Sequence, residues 1–345
     1  MYVPEPDGLT VGDVSVTVQR VGMSGAVTAT LDALQSDIIT TAGNGNIVLV
    51  SGAGSIVLND GSASADDVSV AAHGSGRVLI LALGAGSDVT ANADIVSGTG
   101  HLTILAANAA VFTGTADLRT AGAGTIDVEA GLGSITQAVG SVFSAAGDIR
   151  LLAAQDVVVG LISSAANVSI TATAGSILDA DALVGGVNDS NLDIAALGLR
   201  LNAGAGVGAA VNFLETAVGT VSARATSGGI HLRETDGLIV GDVGDTNQRV
   251  GRDAGLTATI DAVQSDVVTT AGNGNIALVT QAGNIVLNDG TAAADDIAVA
   301  ANGSGNVLIL TLGANTGLIA NADIVSGTGH LTVLGAASVA FTGKA

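Results

Sequence analysis

The chain has 345 residues, 48% of them apolar but only 1% aromatic, so any core must be built from Ala, Val, Ile and Leu. Its formal charge is −21, from 31 acidic against 10 basic residues, which excludes the basic surface that nucleic acid requires and disfavours anionic membranes. There is no cysteine, hence neither a disulfide framework nor a thiolate metal site.

Residues 1–6 read as a short leader, with neither the basic region nor the apolar run of a signal peptide. They hold the only two prolines, Pro4 and Pro6, so nothing interrupts backbone pairing from Asp7 onward. Apolar residues are spread evenly, and no stretch approaches the ~20 needed for a spanning helix. No transmembrane segment is expected.

The run Asp7 to Val14 returns as Asp236 to Val243, 229 positions further on. Sliding residues 7–116 onto 236–345 needs no gap and pairs identical residues at 74 of 110 positions. The chain thus reads as a first long repeat, 7–235, and the first half of a second, 236–345, in one continuous rod. Neither end shows a polar or helical cap, so the unpaired backbone there is expected to be continued, in a longer tandem-repeat polypeptide or by stacking into a filament.

A shorter period lies inside the long one. Gly76, Gly100, Gly124 and Gly147 each precede a polar-apolar-x-apolar run, at steps of 24, 24 and 23, and Ala166 follows after 19. A strand sends alternate side chains to opposite faces, and glycine opens the backbone angles of a sharp corner. Two or three strands per turn of 19 to 24 residues is the size of one coil of an all-β parallel β-helix, or β-solenoid. Roughly fifteen such coils at ~4.8 Å would make a rod about 70 Å long. Leucine-rich repeats would need a Leu and Asn ladder, WD propellers a Trp, and helical solenoids a 3.6 period with far fewer than 50 glycines. Val78-Leu79-Ile80-Leu81 and its copy Val307-Leu308-Ile309-Leu310 are apolar on both faces. If Val78 and Val307 point inward, Leu79 and Leu308 point outward, under a loop or into a lateral contact between rods.

Runs such as Ala146-Gly147-Asp148-Ile149-Arg150-Leu151 and Ala174-Gly175-Ser176-Ile177-Leu178 resemble the glycine-corner coils of filamentous haemagglutinin-like adhesins, exported β-helical proteins of bacterial surfaces. The resemblance is one of composition and period and covers most of the chain. It implies an extracellular or cell-surface rod used in adhesion or matrix building, with surface glycans or other cells as partners. It brings no catalytic residue.

The acidic loops are the candidates for a metal. Asp60, Asp66 and Asp67 recur as Asp289, Asp295 and Asp296, and oxygen-rich loops can hold Ca²⁺. The simpler reading is that they bond their own corner backbone and keep the rod soluble, since neither loop has a regular ligand spacing. Asp179, Asp181, Asp189 and Asp193 form a looser group. His101 and His330 are equivalent, but His73 becomes Asn302, so no metal triad emerges. Gly204 to Gly208 lacks the GK[ST] of a phosphate loop and reads as a tight corner. The alternative to a structural rod is a polysaccharide-active β-helix enzyme. Scattered arginines without aromatic platforms, and an acidic cluster that repeats rather than marking one groove, argue against catalysis. Self-association, head-to-tail or lateral, and no cofactor are the remaining expectations.

Overall fold

The computed structural model describes residues 1–181 and 191–342. Strands take 53% of the chain, with no helix among the described residues, and stack in parallel as a β-solenoid. None of its elements is a helix long and apolar enough to cross a membrane.

The main ladder climbs through Ile47–Ser51, Val78–Ala82, Leu102–Ala106, Ile126–Ala130, Ile149–Ala153 and Asn167–Ala172, each paired in register with the next. Period-two alternation turns this register into columns. Val78, Leu102, Ile126, Ile149 and Val168 lie above one another inside, all fully buried, and Ile80, Ile104, Val128, Leu151 and Ile170 form a second column beside them. One apolar cluster runs from Val11 to Ala322. Phe112 and Phe143 meet in it edge to face, with ring centroids 4.7 Å apart.

The corner glycines have a different cause from the one the sequence implied. Gly76, Gly100, Gly124 and Gly147 are not among the positive-φ residues. Instead a Cβ at Gly100 would lie 2.2 Å from the Gly76 carbonyl oxygen, and one at Gly124 would lie 2.5 Å from that of Gly100. Close approach of stacked backbones, rather than dihedral freedom, demands glycine there.

The leader is also part of the solenoid. Tyr2–Glu5 pairs in parallel with Ile47–Ser51. Pro4 stands within that pairing, opposite Val50.

The two long repeats agree in local geometry and differ in placement. Asp37, Asn44, Ala65 and Asp67 have positive φ, as do their counterparts Asp266, Asn273, Ala294 and Asp296. The main ladder, however, runs through Ile194–Ala203 and Leu214–Ala225 into Val267–Thr269, the counterpart of the stretch starting at Ile38. Ile276–Thr280, the counterpart of Ile47–Ser51, continues from Ile230–Glu234 instead. The second unit is turned by one face against the first.

Two antiparallel hairpins depart from the parallel stacking: Thr17–Val21 with Val27–Leu31, and Val243–Val250 with Leu256–Gln264. They occupy equivalent positions and share a register, Thr17 opposite Leu31 and Thr246 opposite Ile260. Their surroundings are opposite. The first-unit hairpin is exposed along both strands, whereas the second-unit hairpin lies back over the main ladder of the first unit.

Candidate functional site, a hairpin clasp between repeats

The outward residues of the main ladder would face solvent in a bare solenoid. Read up the register they are Val48, Leu79, Thr103, Asp127, Arg150 and Ser169, and all are buried. The second-unit hairpin covers them.

Its tip is apolar. Val250 and Ala254 pack with Val48, Val50, Leu79 and Leu81, which settles the outward Leu79 in favour of a covering loop. Val250 N–H donates to Thr103 Oγ1 at 2.9 Å, and Arg77 Nη1 donates to the Ala254 carbonyl at 2.6 Å.

The middle is charged. Arg249 donates from Nε to Asp127 Oδ2 and from Nη2 to Glu129 Oε2, both at 2.6 Å. Burial alone would lower the Arg249 pKa, but these two carboxylates raise it on balance, so the guanidinium stays charged. Arg150 donates to Asp127 Oδ1 at 3.1 Å and to Asp261 Oδ1 of the hairpin at 3.2 Å; Ser169 donates to Asp261 Oδ2 at 2.7 Å. Asn247, fully buried, donates its amide to the Ile126 and Asp148 carbonyls at 2.8 and 3.1 Å.

At the base, Gln264 Nε2 reaches the Leu201 carbonyl at 2.9 Å, Arg200 Nε the Ala262 carbonyl at 3.1 Å, and Asn167 Nδ2 the Gly244 carbonyl at 2.9 Å. Two clasp residues keep buried oxygens outside this pairing, Asn247 at its Oδ1 and Asp245 at both of its carboxylate oxygens. Burial, followed by the charges of Asp148 and Asp261, pushes the Asp245 pKa up to about 8.

The acidic loops gather differently from their order in sequence. Asp60 and Asp66 come together with Asp37, with ligand atoms within 4.8 Å of one another; Asp67 is not in that group. Asp37 and Asp66 are engaged locally: Gly61 N–H donates to Asp37 Oδ1 at 3.2 Å, and Ser64 Oγ and Val68 N–H donate to Asp66 at 3.0 and 3.3 Å. In the second unit, Gly290 N–H donates to Asp266 at 3.4 Å and Ile297 N–H to Asp295 at 3.2 Å. Asp60 and Asp289 each keep one buried oxygen without a partner. Asp67 and Asp296 contribute through the backbone, their carbonyls accepting from Asp94 and Asp323 N–H, both at 2.7 Å. Asp37 was not visible as a member because it lies over twenty residues from the loop it supports.

Asp179, Asp181 and Asp193 form the second group; Asp189 lies outside the described residues. Burial, with the neighbouring Asp179 charge, raises the Asp193 pKa to about 10. A proton on Asp193 would relieve its repulsion from Asp179. Asn212 Nδ2 donates to Asp179 Oδ2 at 2.7 Å, and Asn191 Nδ2 to Asp181 Oδ2 at 2.8 Å.

These bonds make EDTA treatment informative. Chelation is expected to leave Tm unchanged, as measured by thermal melting in low salt. A Tm that rises with added Ca²⁺ would show instead a cation bound to the folded state.

The chain matches no protein-family model, no curated protein and no solved structure.

Proposed function

We propose that this chain is an extracellular structural rod of a bacterial surface, a segment of a tandem-repeat protein or filament, whose repeated loops present weak adhesive contacts to surface glycans or other cells. The observation that carries the reading is the clasp. Stacked coils contact only their neighbours. A hairpin from the second unit that pairs with Thr103, Asp127, Asp148, Arg150 and Leu201 of the first ties one repeat to the next, as a part under tension requires. The many equivalent loops of a tandem array suit multivalent adhesion, in which weak sites gain by effective concentration.

Pulling the chain from its two ends in an optical trap tests the structural role. The rod is expected to hold its length under load and then yield in discrete steps. Smooth extension at low force would overturn it. Incubation with a panel of bacterial and plant polysaccharides tests the enzymatic alternative, and release of new reducing or unsaturated sugar ends would favour that alternative.

A further inference from the structure

The arginines that read as scattered along the chain are sorted by the fold. Arg119, Arg150, Arg233 and Arg249 are in ion pairs with carboxylates. Arg200 and Arg224 form no ion pair among the described residues, and the ladder brings both to one groove. Arg200, on Ile194–Ala203, lies opposite Ser222 of Leu214–Ala225, two residues before Arg224. Strand alternation therefore sets Arg200, Ser222 and Arg224 on the same outward face.

The second unit supplies the far wall. Ala262, Val263, Gln264 and Ser265 at the hairpin root, with Ala292 and Ala293 of the acidic loop, bound a groove of about 240 Å³. That wall is held in place, because Arg200 Nε donates to the Ala262 carbonyl at 3.1 Å and Ala293 N–H to Ser265 Oγ at 3.2 Å. Arg200 Nη1 reaches the Ser169 and Thr171 hydroxyls at 3.4 Å, which leaves its Nη2 and the whole Arg224 guanidinium with no hydrogen-bond partner among the described residues. Ser222, fully buried, also keeps its hydroxyl unbonded, although buried polar groups nearly always find a partner. Unused donors thus gather on this face, the pattern of a site for an oxygen-rich anion. The two guanidiniums also repel: burial lowers the Arg200 pKa, Asp261 and Asp245 raise it, and Arg150 and Arg224 lower it again. The Asp261 oxygens accept from Arg150 and Ser169 rather than from Arg200.

We propose that the groove between Arg200 and Arg224 binds the carboxylate of an acidic sugar unit, a uronate within a polysaccharide. Guanidinium forks match the two oxygens of a carboxylate, and a bound anion offsets the repulsion between the arginines. The groove is smaller than the roughly 300–1,000 Å³ of sites for drug-sized ligands, so it takes one sugar unit. Its remaining walls are alanine methyls and Val263, with no aromatic face on which a neutral sugar could stack. Charge therefore selects the ligand. An Asp or Glu side chain of a peptide carries the same carboxylate on a narrow stem that leaves those walls uncovered, and the sugar ring is the better fit.

The inference rests on the glycan-binding reading and names one site for it, yet the two are tested apart. Ligand-observed NMR titrations use trigalacturonate, its methyl ester and hexaglutamate at about 0.15 M salt, where repulsion from the chain's charge of −21 is screened beyond ~8 Å. Trigalacturonate is expected to bind, and the uncharged ester is not. Arg224→Gln, at an exposed position, is expected to weaken binding about ten- to hundredfold, the usual effect of losing a charged hydrogen bond, with unchanged circular dichroism. Arg252→Gln, an exposed arginine on the hairpin turn and outside the groove, is expected to bind as the parent does. Trigalacturonate that fails to bind, an ester that binds as well, or an Arg224→Gln variant that binds like the parent overturns the proposal. So does hexaglutamate bound as tightly as the sugar, which would assign the groove to a peptide carboxylate. A glycan array probed with the same protein separates the two readings. Binding to other sugars with none to trigalacturonate removes this groove and leaves the adhesive role, whereas no binding to any sugar removes both.

Discussion

Leu79→Asp is expected to destabilise the chain by about 3–5 kcal/mol, the usual cost of an uncompensated buried charge, whereas Leu308→Asp, at a half-buried position without a covering hairpin, is expected to cost clearly less. The two leucines sit in identical Val-Leu-Ile-Leu runs and point outward from equivalent strands. Only the cover differs: Leu79 lies beneath Val250 and Ala254, whereas Leu308 is half-buried with no hairpin packed on it among the described residues. A carboxylate at 79 must either stay buried without a partner or force the hairpin off, and both lower Tm. The second outcome also frees the hairpin turn, so trypsin should cut at the exposed Arg252 faster in Leu79→Asp than in the parent. Equal losses at the two positions would mean that the hairpin does not cover the coil.

Asp245→Asn is expected to stabilise the protein at pH 8 and to leave it unchanged near pH 4. Asp245 has a folded pKa of about 8, above the ordinary carboxylate value, because it is buried and faces Asp148, Asp261 and Asp127, which outweigh the opposing charge of Arg150. The folded state therefore holds a proton that the unfolded state has released. Stability is fully present below the unfolded pKa near 4 and is lost as pH rises toward 8. Asparagine cannot ionise, so it escapes that loss, a difference on the order of a few kcal/mol at pH 8. Glu234, raised by burial to about 8, and Asp193 act in the same direction and remain in the variant, so the quantity to follow is the difference in Tm between variant and parent across pH 4–8. A difference that does not grow with pH would show Asp245 ionised within the fold.

The parallel solenoid was legible because its cause is local. The alternation of Ile47 and Leu49, the two-dozen-residue spacing from Gly76 to Gly147 and the 229-residue offset all lie in short stretches of sequence, and the columns through Ile126 and Val128 follow from them. The outward direction of Leu79 followed too, and a covering loop was one of its two readings, but which segment covers it did not follow. What covers it arrives from 171 positions away at Val250, and nothing near Leu79 announces that partner. Likewise the Arg249 to Asp127 bond joins residues 122 apart. The alternating Val14, Val16 and Val18 carry the same period two as a coil strand, so the pattern does not announce an antiparallel hairpin. The acidic groups were half legible. Asp60 and Asp66 stand together in one loop, but Asp37 joins them only after a coil has closed.

The clasp also sets how far along the chain a local opening spreads. In a plain solenoid each coil is held by the coils on either side, so the ends can fray one coil at a time and each opening is nearly independent of those farther away. Here the hairpin rooted at Val243 and Gln264 grips Leu201 at its base, Arg150 and Asp127 along its length, and Thr103 and Leu79 at its tip. None of those coils can open without losing hairpin bonds that also hold the others. The span from Leu79 to Gln264 thereby becomes a single cooperative unit, many coils long. Amide exchange across it is set by one shared opening rather than by a gradient from the ends.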